Sequence, residues 1–200
     1  MHRVFISYHH DNDQYYKDTL VSIGKEYEIF EDYSVNTGDI PDNWNDEEIR
    51  EEIRDKYLRE STVTILLVGT ETKNRKHIDW EIYSSMYNGK KNKRSGIIVI
   101  QLPSVAPKYV HIGHGATEKR IVHPEIKSWR EIKTRKEYSD RYPYLPERII
   151  DNLYNGNSHI SIIKWSDVTV ERLRWLIDQA YNDRNSCDYD LSRNMRRRNG

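Results

Sequence analysis

Residues 62–68 read Ser61-flanked Thr-Val-Thr-Ile-Leu-Leu-Val, a run of apolar and β-branched side chains with no polar alternation. A strand with one face in water alternates, whereas a strand buried on both faces does not. The run therefore predicts a central strand of a parallel sheet, covered by helices on both sides. Parallel neighbours require crossover connections, and the flanking sequence supplies them. A first strand at 3–8 is followed by a helix to about residue 25, with Tyr16, Leu20 and Ile23 at helical spacing. A short second strand at 28–30 leads into a loop over 32–45 containing Gly38 and Pro41. Asn45 or Asp46 caps a helix over 47–60, with Ile49, Ile53 and Tyr57 as its apolar seam.

After the central strand, residues 69–75 turn into a helix at about 77–88, with Gly89 at the position that ends it. A fourth strand spans 96–102. The pattern loosens over about 103–145, then returns as a helix near 145–154, a strand at 159–165 and an amphipathic helix at 169–182. This alternation predicts an α/β fold, flavodoxin-like and doubly wound, with a mostly parallel five-stranded sheet and helices on both faces. Residues 1–185 read as a single domain with an irregular insertion at about 103–145. Residues 186–200, with Arg196-Arg197-Arg198, read as a frayed, solvated tail.

Composition narrows the function classes. A net charge of zero argues against general nucleic-acid binding, which shows a basic excess. The apolar runs are far shorter than the roughly 20 residues that cross a bilayer, and the opening residues lack the pattern of a secretory signal. Cys187 is the only cysteine, which excludes an intramolecular disulfide and a cysteine zinc site. A cytoplasmic location is expected. His111, His114 and His123 sit in the irregular stretch without a regular ligand spacing and read as solvated or capping residues, so no metal is expected. Tyr138, Tyr142 and Tyr144 beside Pro143 and Pro146 read as a loop-packing cluster.

In an open parallel sheet, ligands bind beyond the carboxyl ends of the strands where strand order reverses. That rule selects Ser7, Tyr8 and His9 after the first strand, Asp32 after the second, and Gly69, Thr70 and Glu71 after the central one. On the following helix, Ile78, Ile82 and Met86 share the buried side, while His77, Glu81, Ser84 and Asn88 share the other. Glu81 thus lies one turn in from the same mouth.

The segments Val4-Phe5-Ile6-Ser7-Tyr8-His9, Ile65 to Arg75 and Trp80-Glu81-Ile82 before Gly89-Lys90 together resemble the bacterial TIR-like proteins of the Thoeris antiphage defence system, over roughly residues 1 to 102. The most specific part runs from Gly69 to Glu81. The resemblance implies cleavage of the nicotinamide–ribose bond of NAD, taken as substrate and not held as a cofactor. It also implies formation of a cyclic ADP-ribose isomer that signals to a nucleotide-sensing effector, with a phage-derived trigger and self-association as further expectations. It assigns the catalytic carboxylate to Glu81. A single carboxylate suits this chemistry, because nicotinamide leaves as a neutral pyridine while the ribosyl centre becomes oxocarbenium-like.

Ser7, Tyr8, His9, Trp44, Thr70 and His77 are the candidate substrate-binding residues. For Ser7, Tyr8 and His9 the alternative is a polar strand end, and for Trp44 a loop anchor. Thr70 and Arg75 are placed to meet phosphates, or simply to form a strand-to-helix turn. The family carries Trp four residues before the catalytic Glu; here that position is His77, and Trp80 immediately precedes Glu81. Two rival functions stay open: a catalytically silent TIR-like interaction module, and an enzyme like the nucleoside deoxyribosyltransferases.

Overall fold

The apolar run is the middle strand of a five-stranded sheet in a computed structural model, which describes residues 1–35, 45–90, 93–108 and 112–200. Along the chain come β1 (His2–Ser7), α1 (His10–Glu26), β2 (Phe30–Asp32), α2 (Asp46–Glu52), β3 (Val63–Val68), α3 (Lys76–Met86) and β4 (Gly96–Gln101). They are followed by α4 (Gly115–Val122), α5 (Arg135–Arg141), α6 (Glu147–Tyr154), β5 (Ile160–Lys164) and α7 (Val170–Asp183). Every strand pair is parallel and the order is β2-β1-β3-β4-β5. This is the expected doubly wound, flavodoxin-like α/β fold.

All six residues of β3 are buried. Ile65 and Leu67 point to the side covered by α1 and α7, with Leu20, Leu173, Leu176 and Ile177. Leu66 and Val68 point to the side covered by α3 and α6, with Ile78, Ile82, Met86, Ile149 and Ile150. Each such side chain contributes about 1.5–3 kcal/mol on burial, which explains why the strand tolerates no polar alternation. No helix among the described residues is long and apolar enough to cross a membrane.

Several boundaries move, each for a local reason. β2 starts at Phe30 and not residue 28, because Glu28 takes a left-handed turn at φ 51° and the Ile29 N–H returns to the Gly24 carbonyl. Asn45 does cap α2, through a reciprocal box with Glu48. The next turn widens to π-helix over Ile53–Leu58, so that Ile53 and Leu58, five apart, are the buried pair, and Tyr57 is only partly buried. α3 ends at Met86 with Tyr87 already extended, which leaves Asn88 off the helix and gives Gly89 no capping role.

The stretch read as irregular holds α4 and α5, and Ile112 pairs antiparallel with Ile162 along the outer edge of β5. Of the histidines read as solvated or capping, His114 and His123 are the N-cap and C-cap residues of α4; His123 is buried, and His114 bonds the Ile160 carbonyl at 3.0 Å. His111 lies outside the described residues. The C-terminal segment, read as a frayed tail, is packed: Cys187 and Tyr189 enter the core beside α6, and residues 193–200 lie along α3. Sequence patterning misses this because residues 193–200 are held by polar bonds and not by an apolar stripe.

α7 passes so close to β4 that a Cβ on Gly96 would sit on the Ala180 carbonyl. Gly96→Ala is therefore expected to destabilise the protein by about 3 kcal/mol, read as a lower urea midpoint at unchanged slope.

Candidate active site

The chain leaves β1 toward β2 on one side and returns as β3 on the other, so strand order reverses between β1 and β3. A crevice opens at their carboxyl ends by that topology. Ser7 is the last residue of β1, paired in register with Leu66, and its side chain lies on the α3 side of the sheet. Its hydroxyl donates a 2.6 Å hydrogen bond to Glu81 Oε2. Glu81 is 6% exposed, in the second turn of α3, and Ser85 bonds its carbonyl one turn further on. Burial pushes the Glu81 carboxyl from 4.5 up to about 8, with the Ser7 bond pulling the other way.

Tyr8, one residue on, turns to the opposite side of the sheet. It is buried among the residues under α1, donates to Gln14 Oε1 at 2.7 Å and stacks on His10 at 4.4 Å. Burial raises its hydroxyl to about 12. His9 caps α1: its Nδ1 accepts the Asn12 N–H at 3.2 Å, which leaves the proton on Nε2. Burial, and after it the Arg75 charge, lowers its pKa below the ordinary imidazole value.

Asp13, which the sequence did not single out, ties α1 to the turn after β3. It is 3% exposed, and its carboxylate lies so near Gly69 that a Cβ there would come within 2.6 Å of Oδ2. Burial raises this carboxyl to about 6. The turn after β3 is organised by Thr72, not Thr70: the buried Thr72 hydroxyl accepts the Gly69 N–H at 2.8 Å and reaches the Leu67 carbonyl. Thr70 stays partly exposed, and Glu71 is an exposed turn residue. On the β2 side, Asp32 pairs with the buried Lys17 at 3.0 Å and bonds Ser34, whose hydroxyl accepts the Ile6 N–H.

His77 is partly buried, one turn before Glu81, with its ring 4.9 Å from that of Trp80. Trp80 does not face the mouth: its Nε1 donates to the Arg196 carbonyl at 2.8 Å. Trp44 lies outside the described residues. Thus the structure joins Ser7 and Glu81 directly, brings Asp13 against Gly69 beside the His9 cap at the same strand ends, and turns Tyr8 and Trp80 elsewhere; Arg75 lines a cavity with Asp79, Arg193 and Arg196. Asp13 carried a usable signal, an acidic residue in the first helical turn after a candidate strand end; Thr72 differs from Thr70 only in where the turn closes.

A flavodoxin-like parallel sheet with a buried carboxylate at its β1/β3 switch point is consistent with a TIR-like domain. The match to the family described as Thoeris protein ThsB, TIR-like domain, covers residues 5–107, and the chain belongs to that family. Comparison with curated proteins finds no match. Membership places the protein in Thoeris defence. The matched part contains the whole β1/β3 crevice, including Ser7, Gly69 and Glu81.

Proposed function

We propose that this protein cleaves the nicotinamide–ribose bond of NAD and closes the remaining ADP-ribose into a cyclic isomer. The observation that carries this reading is the buried Ser7–Glu81 pair at the β1/β3 mouth. In the reaction the C1′–N bond breaks and its electron pair leaves with nicotinamide, which departs neutral. The positive charge passes to the ribosyl centre. A desolvated carboxylate held by one hydroxyl is suited to that charge, since low local polarity strengthens its attraction for a cation.

The raised pKa of Glu81 fits this role. In the empty site burial disfavours the ionised form, while a pyridinium-bearing substrate supplies a positive charge that favours it. Capture of the ribosyl centre by a nitrogen or hydroxyl of the same molecule forms the ring, and one proton is released, from the attacking hydroxyl or from the amino group conjugated with the attacking nitrogen. Which nucleophile reacts is set by how the crevice folds the substrate. The product is a diffusible messenger for a nucleotide-sensing effector, and a phage-derived trigger and self-association are part of the same proposal. The location proposed is the cytoplasm.

The test is incubation of the purified chain with NAD, alone and after phage infection of expressing cells, followed by chromatography and mass spectrometry. Free nicotinamide and a product lighter than ADP-ribose by one water are expected. Nucleoside base exchange without NAD consumption would replace this reading with the deoxyribosyltransferase one, and no turnover in any assembly state would replace it with the silent interaction module.

A further inference from the structure

Asp79 stands two residues before Glu81, about 200° around the helix, so it faces away from the crevice. It is 8% exposed, and both of its carboxylate oxygens are bonded. The fully buried Arg148 of α6 donates from Nε to Oδ1 at 2.9 Å and from Nη2 to Oδ2 at 3.1 Å. The backbone N–H of Arg196 adds a 2.8 Å bond to Oδ2. The same guanidinium donates to the carbonyls of Arg193 and Asn194, at 2.9 and 3.4 Å, and thereby links α6, α3 and the C-terminal segment.

Three further contacts reach the first turns of α3 and the residues before it. Its N-cap residue, Arg75, makes no side-chain cap bond; the Lys76 N–H is taken instead by Asn199 Oδ1 at 2.9 Å, from 123 residues away. Gly200 N–H donates to the Asn74 carbonyl at 2.8 Å, and Trp80 Nε1 holds the Arg196 carbonyl. α3 spans only 11 residues, so these bonds grip most of its first two turns.

We infer that residues 193–200 form a clasp along the back of α3 that fixes its depth and rotation, and that Asp79, Trp80 and Asn199 are positioning residues for Glu81. The inference rests on the reaction proposed above. A displacement of about 1 Å at a reacting group costs on the order of a hundredfold in rate, and Glu81 is held in the crevice by one short side-chain bond. Removing one clasp bond shifts the helix by less, so a smaller loss follows.

The experiment uses the full chain with Trp80→Phe, Asn199→Ala and Asn199→Asp, and reads steady-state nicotinamide release together with amide hydrogen exchange. Trp80→Phe removes the bond to Arg196 together with part of the ring that meets His77 and Lys76, whereas Asn199→Ala removes only the acceptor for the Lys76 N–H and Asn199→Asp keeps it. The expected result is a fall in kcat of about tenfold in Trp80→Phe and Asn199→Ala with KM within about twofold, and recovery in Asn199→Asp. Amides at 76–81 exchange faster in the first two variants only. Unchanged kcat alongside faster exchange would reduce the clasp to a structural element and overturn the positioning role; unchanged exchange would overturn the clasp. Absence of nicotinamide release in the unmodified protein would instead remove the proposed reaction, and with it any positioning for it, a failure visible before any variant is compared.

Discussion

Glu81→Gln is expected to give a protein that folds, melts higher than the unmodified chain at pH 7.5, and releases nicotinamide about a thousandfold more slowly or not at all. The substitution keeps the shape of the side chain and an oxygen to accept the Ser7 hydroxyl, so the β1–α3 contact survives. It removes the ionisable group whose charge stabilises the ribosyl cation. The stability effect follows from proton linkage. With the folded carboxyl at about 8 and its ordinary value at 4.5, the folded state holds a proton that the unfolded state releases. Stability contributed by this group is therefore full below pH 4.5, falls as pH rises toward 8, and is lost above it. Gln carries no such penalty. The variant should match the unmodified protein near pH 4 and exceed it by roughly 5 °C in Tm above pH 7.5, read by calorimetry across that range.

The second large effect concerns Arg148→Met. Arg148 is fully buried, and its partner Asp79 is 8% exposed. Removing the guanidinium leaves a buried carboxylate without its main counter-charge and leaves the carbonyls of Arg193 and Asn194 without their donor. Loss of one member of a buried pair costs about 3–5 kcal/mol, or roughly 10 °C of melting temperature for a chain of this size. Asp79→Asn combined with Arg148→Met removes the stranded charge and should recover at least half of that loss in urea unfolding. A single-variant loss below about 1 kcal/mol would contradict the packing described for the C-terminal segment.

What the sequence made legible follows the same physics. β3 was readable because burial on both faces leaves an unbroken apolar run, and its central place fixes β1 beside it and the crevice between them. Glu81 was readable from its position after that strand together with the resemblance of residues 69–81 to a known family. Ser7 followed from its place at the end of β1. The clasp was not readable, because Asp79, Arg148 and Arg196 look like ordinary surface charges; a buried ion pair leaves no periodic trace in sequence. Leu58 was missed for a related reason, since a π-turn replaces the spacing of four with one of five. His9 carried two equal readings, and the hydrogen bond from Asn12 supports its capping role without removing it from the mouth.

The most direct measurement is kcat/KM for nicotinamide release from NAD against pH, for the unmodified protein and Glu81→Gln side by side. The ionised carboxylate is the active form, so the unmodified protein should gain activity through a limb near pH 8, set by the free enzyme's Glu81, and the variant should stay at background throughout. Release by Glu81→Gln at the rate of the unmodified protein, with the same limb, would contradict the assignment of Glu81.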